Sequence, residues 1–112
     1  MKLNSNPFDK IKSGKKTIEI RLYDEKRKDI KLGDIIEFQK LPDLDESIQV
    51  KVRGLLRYES FRDLVDDFSM SYFGYPEDYD KVSFADSMHN IYPAEKENKY
   101  GVLGIRVKLM KT

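Results

Sequence analysis

A cluster of charged residues interrupts the most regular strand pattern of the chain, in residues 13–22 (SGKKTIEIRL). Ile18 and Ile20 alternate with Glu19 and Arg21, a spacing that predicts a β-strand. Side chains of alternate residues point to opposite faces of a strand, so we expect the isoleucines to face the core and the charged side chains to face away from it.

Lys16 lies at the entrance of this predicted strand, where its ammonium group can reach the rim of the fold. A lysine, a glutamate and an arginine at this spacing form a polar cluster in which Glu19 is held by two cationic neighbours. One interpretation is an exposed or half-exposed ion network, worth about 0–1 kcal/mol per pair. The other is that the cluster serves a ligand.

The composition narrows the classes of function. A chain of 112 residues fits one domain, which we expect to span residues 1–112. It has no cysteine and a single histidine, His89, which excludes disulfides and thiolate sites and disfavours a His-rich metal site or a Ser-His-Asp triad. No cofactor or metal ion is therefore expected.

The charge pattern bears on partners and location. The net charge of +1 argues against a strongly basic binder of duplex DNA. Residues 1–40 hold eleven basic and seven acidic side chains, whereas residues 60–91 hold two basic and seven acidic ones. No apolar run approaches the roughly 20 residues of a membrane span, and the start of the chain lacks a signal-peptide pattern. We therefore expect a soluble, cytoplasmic protein without a membrane partner.

Three short helices are predicted from the residues at their N-terminal ends. Asn6, Ser60 and Ser83 are the candidate N-caps, each followed three positions later by Asp and then by an apolar stripe. Gly14 is the candidate stop of the first helix. Helices this short depend on packing against a larger element.

That larger element is predicted to be a sheet. Strands are expected at residues 17–22, 34–38, 48–53 and 103–109, with a β-bulge at Gly54 where the alternation slips by one residue. This order of elements predicts an α+β fold, a small and partly closed β-barrel with short helices covering its ends.

The charged strand carries a family motif. The pattern Gly-x-Lys-x-x-Glu-x-Arg, present here as Gly14, Lys16, Glu19 and Arg21, resembles that of the ASCH domain family. The similarity extends over nearly the whole chain, through the segments YESFRDL, MHNIYP and KYGVLGIRV. It implies a PUA-like β-barrel of about five to six strands.

The resemblance also implies binding of RNA or of a nucleotide, in a cleft floored by the motif. Lys16 and Arg21 would then bind phosphate or a base carbonyl, and Glu19 would accept hydrogen bonds from a base edge. Thr17 shares the face of Glu19 and is a further candidate ligand residue. Tyr92 either stacks on a base or completes the core.

One branch of the family implies an alternative, hydrolysis of an acylated nucleoside such as acetylcytidine. In that branch a lysine activates a nucleophilic threonine, and a distant glutamate takes part. The lysine position matches Lys16 and the distant glutamate corresponds to Glu77, but Glu19 occupies the threonine position and Thr17 lies two residues earlier. The catalytic candidates of this alternative are Lys16, Glu19 and Glu77, with Glu19 as a general base on water.

Two further alternatives remain open. Glu19 with Glu77, Asp78 or Asp80 would suit metal-assisted cleavage of RNA through oxygen ligands. A protein-interaction module would instead use the aromatic-rich segment 69–80, which is either a lid over the barrel or a docking loop. The oligomeric state is left open. If the charges line a ligand cleft, Lys16→Ala or Glu19→Ala is expected to leave thermal stability nearly unchanged and to abolish ligand binding.

Overall fold

The computed structural model describes residues 1–110, and in that range it contains five β-strands, four α-helices and two short 3-10 helices. The strands are β1 (Lys2–Leu3), β2 (Ile18–Leu22), β3 (Ile35–Lys40), β4 (Ser47–Tyr58) and β5 (Val102–Leu109). The α-helices are α1 (Ser5–Lys12), α2 (Phe61–Asp66), α3 (Lys81–Ser87) and α4 (Ala94–Tyr100). The 3-10 helices are Met70–Tyr72 and Met88–Asn90.

The strands form one curled sheet in the order β1-β3-β4-β5-β2. β1 runs parallel to β3, and all other neighbours are antiparallel. The curl brings the two edge strands towards each other, and Arg21 Nη2 donates a hydrogen bond of 3.1 Å to the carbonyl of Lys2 across the gap. We call this gap between β1 and β2 the seam. The predicted α+β class and partly closed barrel are confirmed.

The long strand β4 contains the predicted irregularity. Its register against β5 shifts between Val52 and Gly54. A Cβ atom at Gly54 would come within 3.0 Å of the Arg106 side chain, so glycine allows the two strands to approach closely. The predicted bulge at Gly54 is confirmed.

Both faces of the sheet are covered, and the buried apolar residues divide into two clusters. Ile18 and Ile20 belong to the first cluster, together with residues of α2 and α3. Glu19 pairs across the sheet with Ile105, which belongs to the second cluster, with residues of α1. Paired residues share a face, so Glu19 points into a packed interior and is only 4% exposed. The expectation that the charged side chains of β2 face away from the core was therefore wrong at Glu19.

The predicted helix ends are confirmed at two positions and wrong at a third. Ser60 caps α2, because its hydroxyl oxygen accepts a hydrogen bond of 3.0 Å from the backbone N–H of Asp63. Gly14 follows α1 with a φ of 81°, a backbone angle that favours glycine. However, α1 begins two residues earlier than predicted: Asn4 is its N-cap, and Asn6 lies within the first turn.

The last two helices differ more from prediction. Asp80 caps α3 by accepting hydrogen bonds from the N–H of Val82 (2.9 Å) and the hydroxyl of Ser83 (3.0 Å). Ser83 therefore lies inside the helix and is not its cap. The sequence pattern did not predict α4 at all, because Glu97 is the one buried residue of this helix and no apolar stripe marks it.

Candidate functional site

A cleft of about 430 Å³ opens along the seam. We call it the seam cleft. One wall comes from the first 21 residues and carries positive charge from Lys2, Lys10, Lys16 and Arg21. The opposite wall comes from residues 73–92 and is apolar and aromatic, formed by Phe73, Tyr75, Phe84, Met88, Ile91 and Tyr92. The cleft thus combines a cationic side with a side suited to a flat ring.

Glu19 organises the cationic wall. Its Oε1 atom accepts hydrogen bonds from Lys16 Nζ at 2.9 Å and from the N–H of Ile20 at 3.3 Å. Its Oε2 atom accepts from Arg21 Nε at 3.2 Å and from Arg21 Nη2 at 3.0 Å. The same Nη2 atom donates to the carbonyl of Lys2. One carboxylate therefore positions two cations and ties β2 to the opposite edge strand.

The position of Glu19 on an edge strand explains its contact with the backbone. The N–H of Tyr23 donates to the carbonyl of Gly101, and the N–H of Val107 donates to the carbonyl of Thr17. The odd-numbered residues of β2 therefore form the hydrogen-bonded pairs with β5. The N–H of Ile20 therefore points to the free edge. The carboxylate of Glu19 accepts this donor, which the sheet leaves unpaired.

The charge state of Glu19 follows from its surroundings. Burial by itself raises the pKa of Glu19, but the charges and hydrogen bonds of Lys16 and Arg21 outweigh burial and lower the pKa below the ordinary value of 4.5. Glu19 is thus a carboxylate at neutral pH. A carboxylate with a lowered pKa has little tendency to accept a proton, which makes it a weak general base.

The charges of the seam cleft do not balance. Four cations and one carboxylate line it, a net charge of +3, whereas the whole chain has a net charge of +1. Lys10 Nζ lies 3.8 Å from the centroid of the Tyr75 ring, and among residues 1–110 it has no carboxylate partner. Burial, followed by the charges of Lys16 and Lys15, lowers the pKa of Lys10. An anion bound at this position would relieve that repulsion.

The aromatic wall is held in place by stacked rings. Tyr92 stacks on Phe61 with a centroid distance of 5.8 Å and an interplanar angle of 24°. Tyr75 packs against Phe84 at 5.0 Å and against Tyr79 at 4.7 Å. Tyr92 therefore packs on the core through Phe61 and also lines the cleft, and its stacking on a base stays a prediction.

Segment 69–80 forms part of this aromatic wall. Met70 and Phe73 are fully buried in the first cluster, and Phe73 forms an isolated β-bridge with Lys16. Tyr75 then lines the cleft. The segment is thus folded back against the barrel and is tied to the start of β2.

The structure brings together four of the predicted site residues and separates two others. The seam cleft is lined by Lys16, Glu19, Arg21 and Tyr92. Among residues 1–110, neither Thr17 nor Glu77 is part of its lining. The N–H of Thr17 donates to the carbonyl of Tyr72 over 2.9 Å, and Glu77 is exposed in the loop before α3.

The structure also bears on the hypotheses of a metal site, of a role for His89 and of a membrane span. No three His, Asp or Glu side chains of residues 1–110 gather where they could hold a metal ion. Asp80 serves as the N-cap of α3. His89 Nε2 lies 2.9 Å from Glu97 Oε1, outside the seam cleft. Within the same residues, none of the helices has the length and apolar character that a membrane crossing requires.

The residues of the seam cleft that sequence reasoning missed include two cations and a tyrosine: Lys2, Lys10 and Tyr75. Lys10 lies three residues after Pro7, which also lines the cleft, and residues at this spacing share one face of a helix. The excess of basic residues in the first 40 positions was the available signal. Lys2 belongs to a two-residue strand, which is too short to show a periodic pattern.

Comparison with known proteins gives a consistent result. The family model described as ASCH domain matches residues 1–111. The crystal structure of hypothetical protein PH0355 is similar to this chain, with a TM-score of 0.80 and 32% sequence identity, covering 98% of this chain and 100% of that one. The solution NMR structure of Protein PF0455 from Pyrococcus furiosus is similar with a TM-score of 0.73 and 29% identity, covering 100% of both chains. No curated protein matches the sequence.

Proposed function

This chain belongs to the ASCH domain family, and on that premise we propose that the seam cleft binds a nucleotide unit of single-stranded RNA. The phosphate would contact the cationic wall and the base would lie against the aromatic wall. Family membership supports RNA binding in general. The assignment to the seam cleft rests on the side chains that line it.

The observation that carries the proposal is the excess of positive charge around a carboxylate that is already neutralised. Glu19 accepts hydrogen bonds from Lys16 and Arg21, so it offers little repulsion to an incoming anion. Lys2 and Lys10 add two more cations to the same cleft. A phosphate is the anion of RNA that cations at this density attract, because charge-assisted hydrogen bonds are among the strong ones in proteins.

Arg21 illustrates how the cluster prepares the cleft. Its Nε and Nη2 atoms hold Glu19 and the carbonyl of Lys2, which fixes the plane of the guanidinium group. Within residues 1–110, its Nη1 atom makes no hydrogen bond. A guanidinium group held in one orientation binds an oxygen ligand with less loss of side-chain entropy.

The aromatic wall supports recognition of a base. Tyr75 and Tyr92 line the cleft, and each is braced by another ring. Stacking between a base and an aromatic side chain contributes about 1–3 kcal/mol per base and works for every base. This supports binding of single-stranded RNA, whose bases are free to stack on protein rings.

The test compares cytidine 5′-monophosphate with cytidine by isothermal titration calorimetry. We expect the nucleotide to bind about tenfold or more tightly, because its phosphate adds charge-assisted hydrogen bonds worth about 1.5–3 kcal/mol. Lys10→Met should reduce this difference and change the free energy of unfolding by less than about 1 kcal/mol, since Lys10 contacts the Tyr75 ring but pairs with no carboxylate in residues 1–110. Lys26→Met is the matched control, because Lys26 is exposed and lies outside the cleft.

Salt dependence separates this proposal from a protein-docking role. With about three phosphate contacts, the logarithm of the affinity for a short single-stranded RNA should fall with the logarithm of salt concentration at a slope of about −2. Equal binding of nucleotide and nucleoside, or binding insensitive to salt, would contradict the proposal and favour a protein-interaction module.

Hydrolysis of an acylated nucleoside remains the alternative and has its own test. Lys16 and Glu19 lie in the cleft, but the lowered pKa of Glu19 disfavours it as a general base, and Glu77 lies outside the cleft lining. We therefore expect no release of cytidine when acetylcytidine is incubated with the protein and followed by chromatography. Release that Lys16→Ala abolishes would establish the enzymatic alternative instead.

A further inference from the structure

A second cleft of about 530 Å³ lies where β2 and β4 end and β5 begins. We call it the end cleft. Three tyrosines and three charged side chains contribute to its lining: Tyr23, Tyr58, Tyr100, Arg57, Glu59 and Lys99. The proposed function above uses none of them.

The end cleft contains a cation that lies over an aromatic ring. The guanidinium carbon of Arg57 lies 3.8 Å from the centroid of the Tyr23 ring. Lys99 Nζ lies 5.1 Å from the centroid of the Tyr100 ring. RNA bases stack on tyrosine rings and on arginine guanidinium groups, and a guanidinium group over a ring adds a positive charge to such a site.

Strand β2 connects the two clefts. Arg21 lines the seam cleft and Tyr23 lines the end cleft. The two residues have the same parity, and the N–H of Tyr23 still donates to the carbonyl of Gly101, so the strand ladder continues to Tyr23. Residues two apart on one face of a strand are separated by about 7 Å. Because β2 is an edge strand of the sheet, a ligand strand that runs along its free edge reaches both clefts without crossing the sheet.

We propose that the end cleft is a second nucleotide subsite, which binds a neighbouring nucleotide of the RNA strand held in the seam cleft. The base stacks on the Arg57–Tyr23 pair, and Lys99 contacts a phosphate. This inference rests on the proposed function of the seam cleft, because the same strand occupies both. The lining of the end cleft contains two cations and one carboxylate, Glu59, which favours an anionic ligand. Its tyrosines favour a ligand with flat rings.

The experiment measures affinity against ligand length. Cytidine 5′-monophosphate and single-stranded oligocytidylates of two, four and eight nucleotides are titrated at one fixed salt concentration. The length series is expected to show a gain in affinity once both clefts are covered. Arg57→Met should reduce the affinity for the octamer by about 5- to 150-fold, the range that corresponds to loss of one stacked base, and leave the affinity for the mononucleotide unaffected.

Arg53→Met is the matched control, because Arg53 is also an exposed arginine of β4 but lines neither cleft. If Arg53→Met weakens the octamer as much as Arg57→Met does, the effect is general electrostatics and the inference fails. Amide shifts in NMR spectra provide the second measurement: the N–H signals of Gly101 and Val102 should move with the octamer and not with the mononucleotide.

The two proposals fail in different ways. If the mononucleotide binds and Lys10→Met weakens its binding, while Arg57→Met leaves the octamer unaffected, the seam cleft stands and the end cleft is overturned. If the mononucleotide does not bind in the seam cleft at all, the proposed function falls and this inference falls with it. An octamer that binds no more tightly than the mononucleotide also overturns the end cleft.

Discussion

Two buried carboxylates in this protein are held by different kinds of partner. Glu19 on β2 is 4% exposed, and its main partners are the full positive charges of Lys16 and Arg21, close to it in sequence. Glu97 on α4 is 8% exposed, and its partners come from other elements of the fold. Glu97 Oε2 accepts a hydrogen bond of 2.7 Å from the N–H of Phe61, and Oε1 lies 2.9 Å from His89 Nε2.

Glu97, a residue of α4, caps the N-terminus of α2. Phe61 is the first residue of α2, and the N–H groups of a first turn have no partner within their own helix. Glu97 satisfies one of them and Ser60 satisfies another, through the N–H of Asp63. The carboxylate of Glu97 therefore joins α4 to α2 and to the second 3-10 helix, which contains His89.

The difference between the two sites indicates what each carboxylate must supply. Glu19 must supply negative charge, because two cations beside it are largely buried. Glu97 must supply an acceptor oxygen, because its closest partner is a backbone N–H. The first arrangement keeps cations at the wall of a cleft, while the second holds helices together. Four predictions test this contrast, in order of decreasing effect.

Glu19→Ala should lower the free energy of unfolding by about 3–5 kcal/mol, the usual effect of removing one partner from a buried ion pair. Lys16 and Arg21, each with a side chain that is 12% exposed, would lose their counter-charge, and the N–H of Ile20 would lose its acceptor. Urea denaturation at neutral pH measures the effect. The expectation from sequence that this variant leaves stability nearly unchanged is revised by the burial of Glu19. A loss below about 1 kcal/mol would show that the cations relax into solvent.

Glu97→Ala should cost about 2–3 kcal/mol, because the buried N–H of Phe61 would lose a charged acceptor. Thermal unfolding followed by circular dichroism measures this loss. Glu95→Ala is the control: Glu95 lies on the same helix but is exposed, and its replacement should change stability by less than about 0.5 kcal/mol. Equal effects of the two variants would contradict the capping role.

Replacing each glutamate by glutamine separates charge from hydrogen bonding. Glu19→Gln should cost about 2 kcal/mol, because an amide cannot neutralise two buried cations. Glu97→Gln should cost less than about 1 kcal/mol, because the amide oxygen still accepts from the N–H of Phe61. Chemical denaturation of both variants under one set of conditions gives the comparison. A reversed order would mean that the roles assigned to the two carboxylates are wrong.

Lowering the pH should produce the smallest change in the free energy of unfolding. Only part of Glu19 becomes protonated before the rest of the protein is also affected by the low pH. The pKa of Glu19 in the fold is lowered below the ordinary value of 4.5, so its stabilising contribution is present above that value and is lost as pH falls through the folded pKa. The stability difference between the unmodified protein and Glu19→Gln should therefore shrink below pH 4.5. A difference that stays constant or grows in that range would contradict an ionised, paired Glu19.

Local sequence patterns predicted much of the fold and part of the seam cleft. The alternation around Ile18 and Ile20, the cap at Ser60 and the bulge at Gly54 all depend on residues close in sequence, and the structure confirms them. The grouping of Lys16, Glu19 and Arg21 was visible for the same reason. The prediction failed where stability comes from a distant partner: α4 has no apolar stripe, and its buried residue is bound to the start of α2.

The face of β2 that carries Glu19 shows why alternation alone was insufficient. Alternation reveals that a strand has two different faces, but it does not reveal whether the second face is covered. Here a second cluster with residues of α1 covers that side, and the pairing of Glu19 with Ile105 places the carboxylate inside. Only the packing of helices on both sides of the sheet decides this.

The sequence by itself determined four of the five described strands, the family motif and the identity of the charged cluster, because each depends on residue type and short spacing. The tertiary structure decided that the sheet leaves a seam between β1 and β2, that Lys10 and Tyr75 face each other there, and that Glu19 is buried between two cations. These features need the curl of a whole sheet to bring the start of the chain beside residues 73–92. Contacts between segments so distant in sequence have no signature in local spacing.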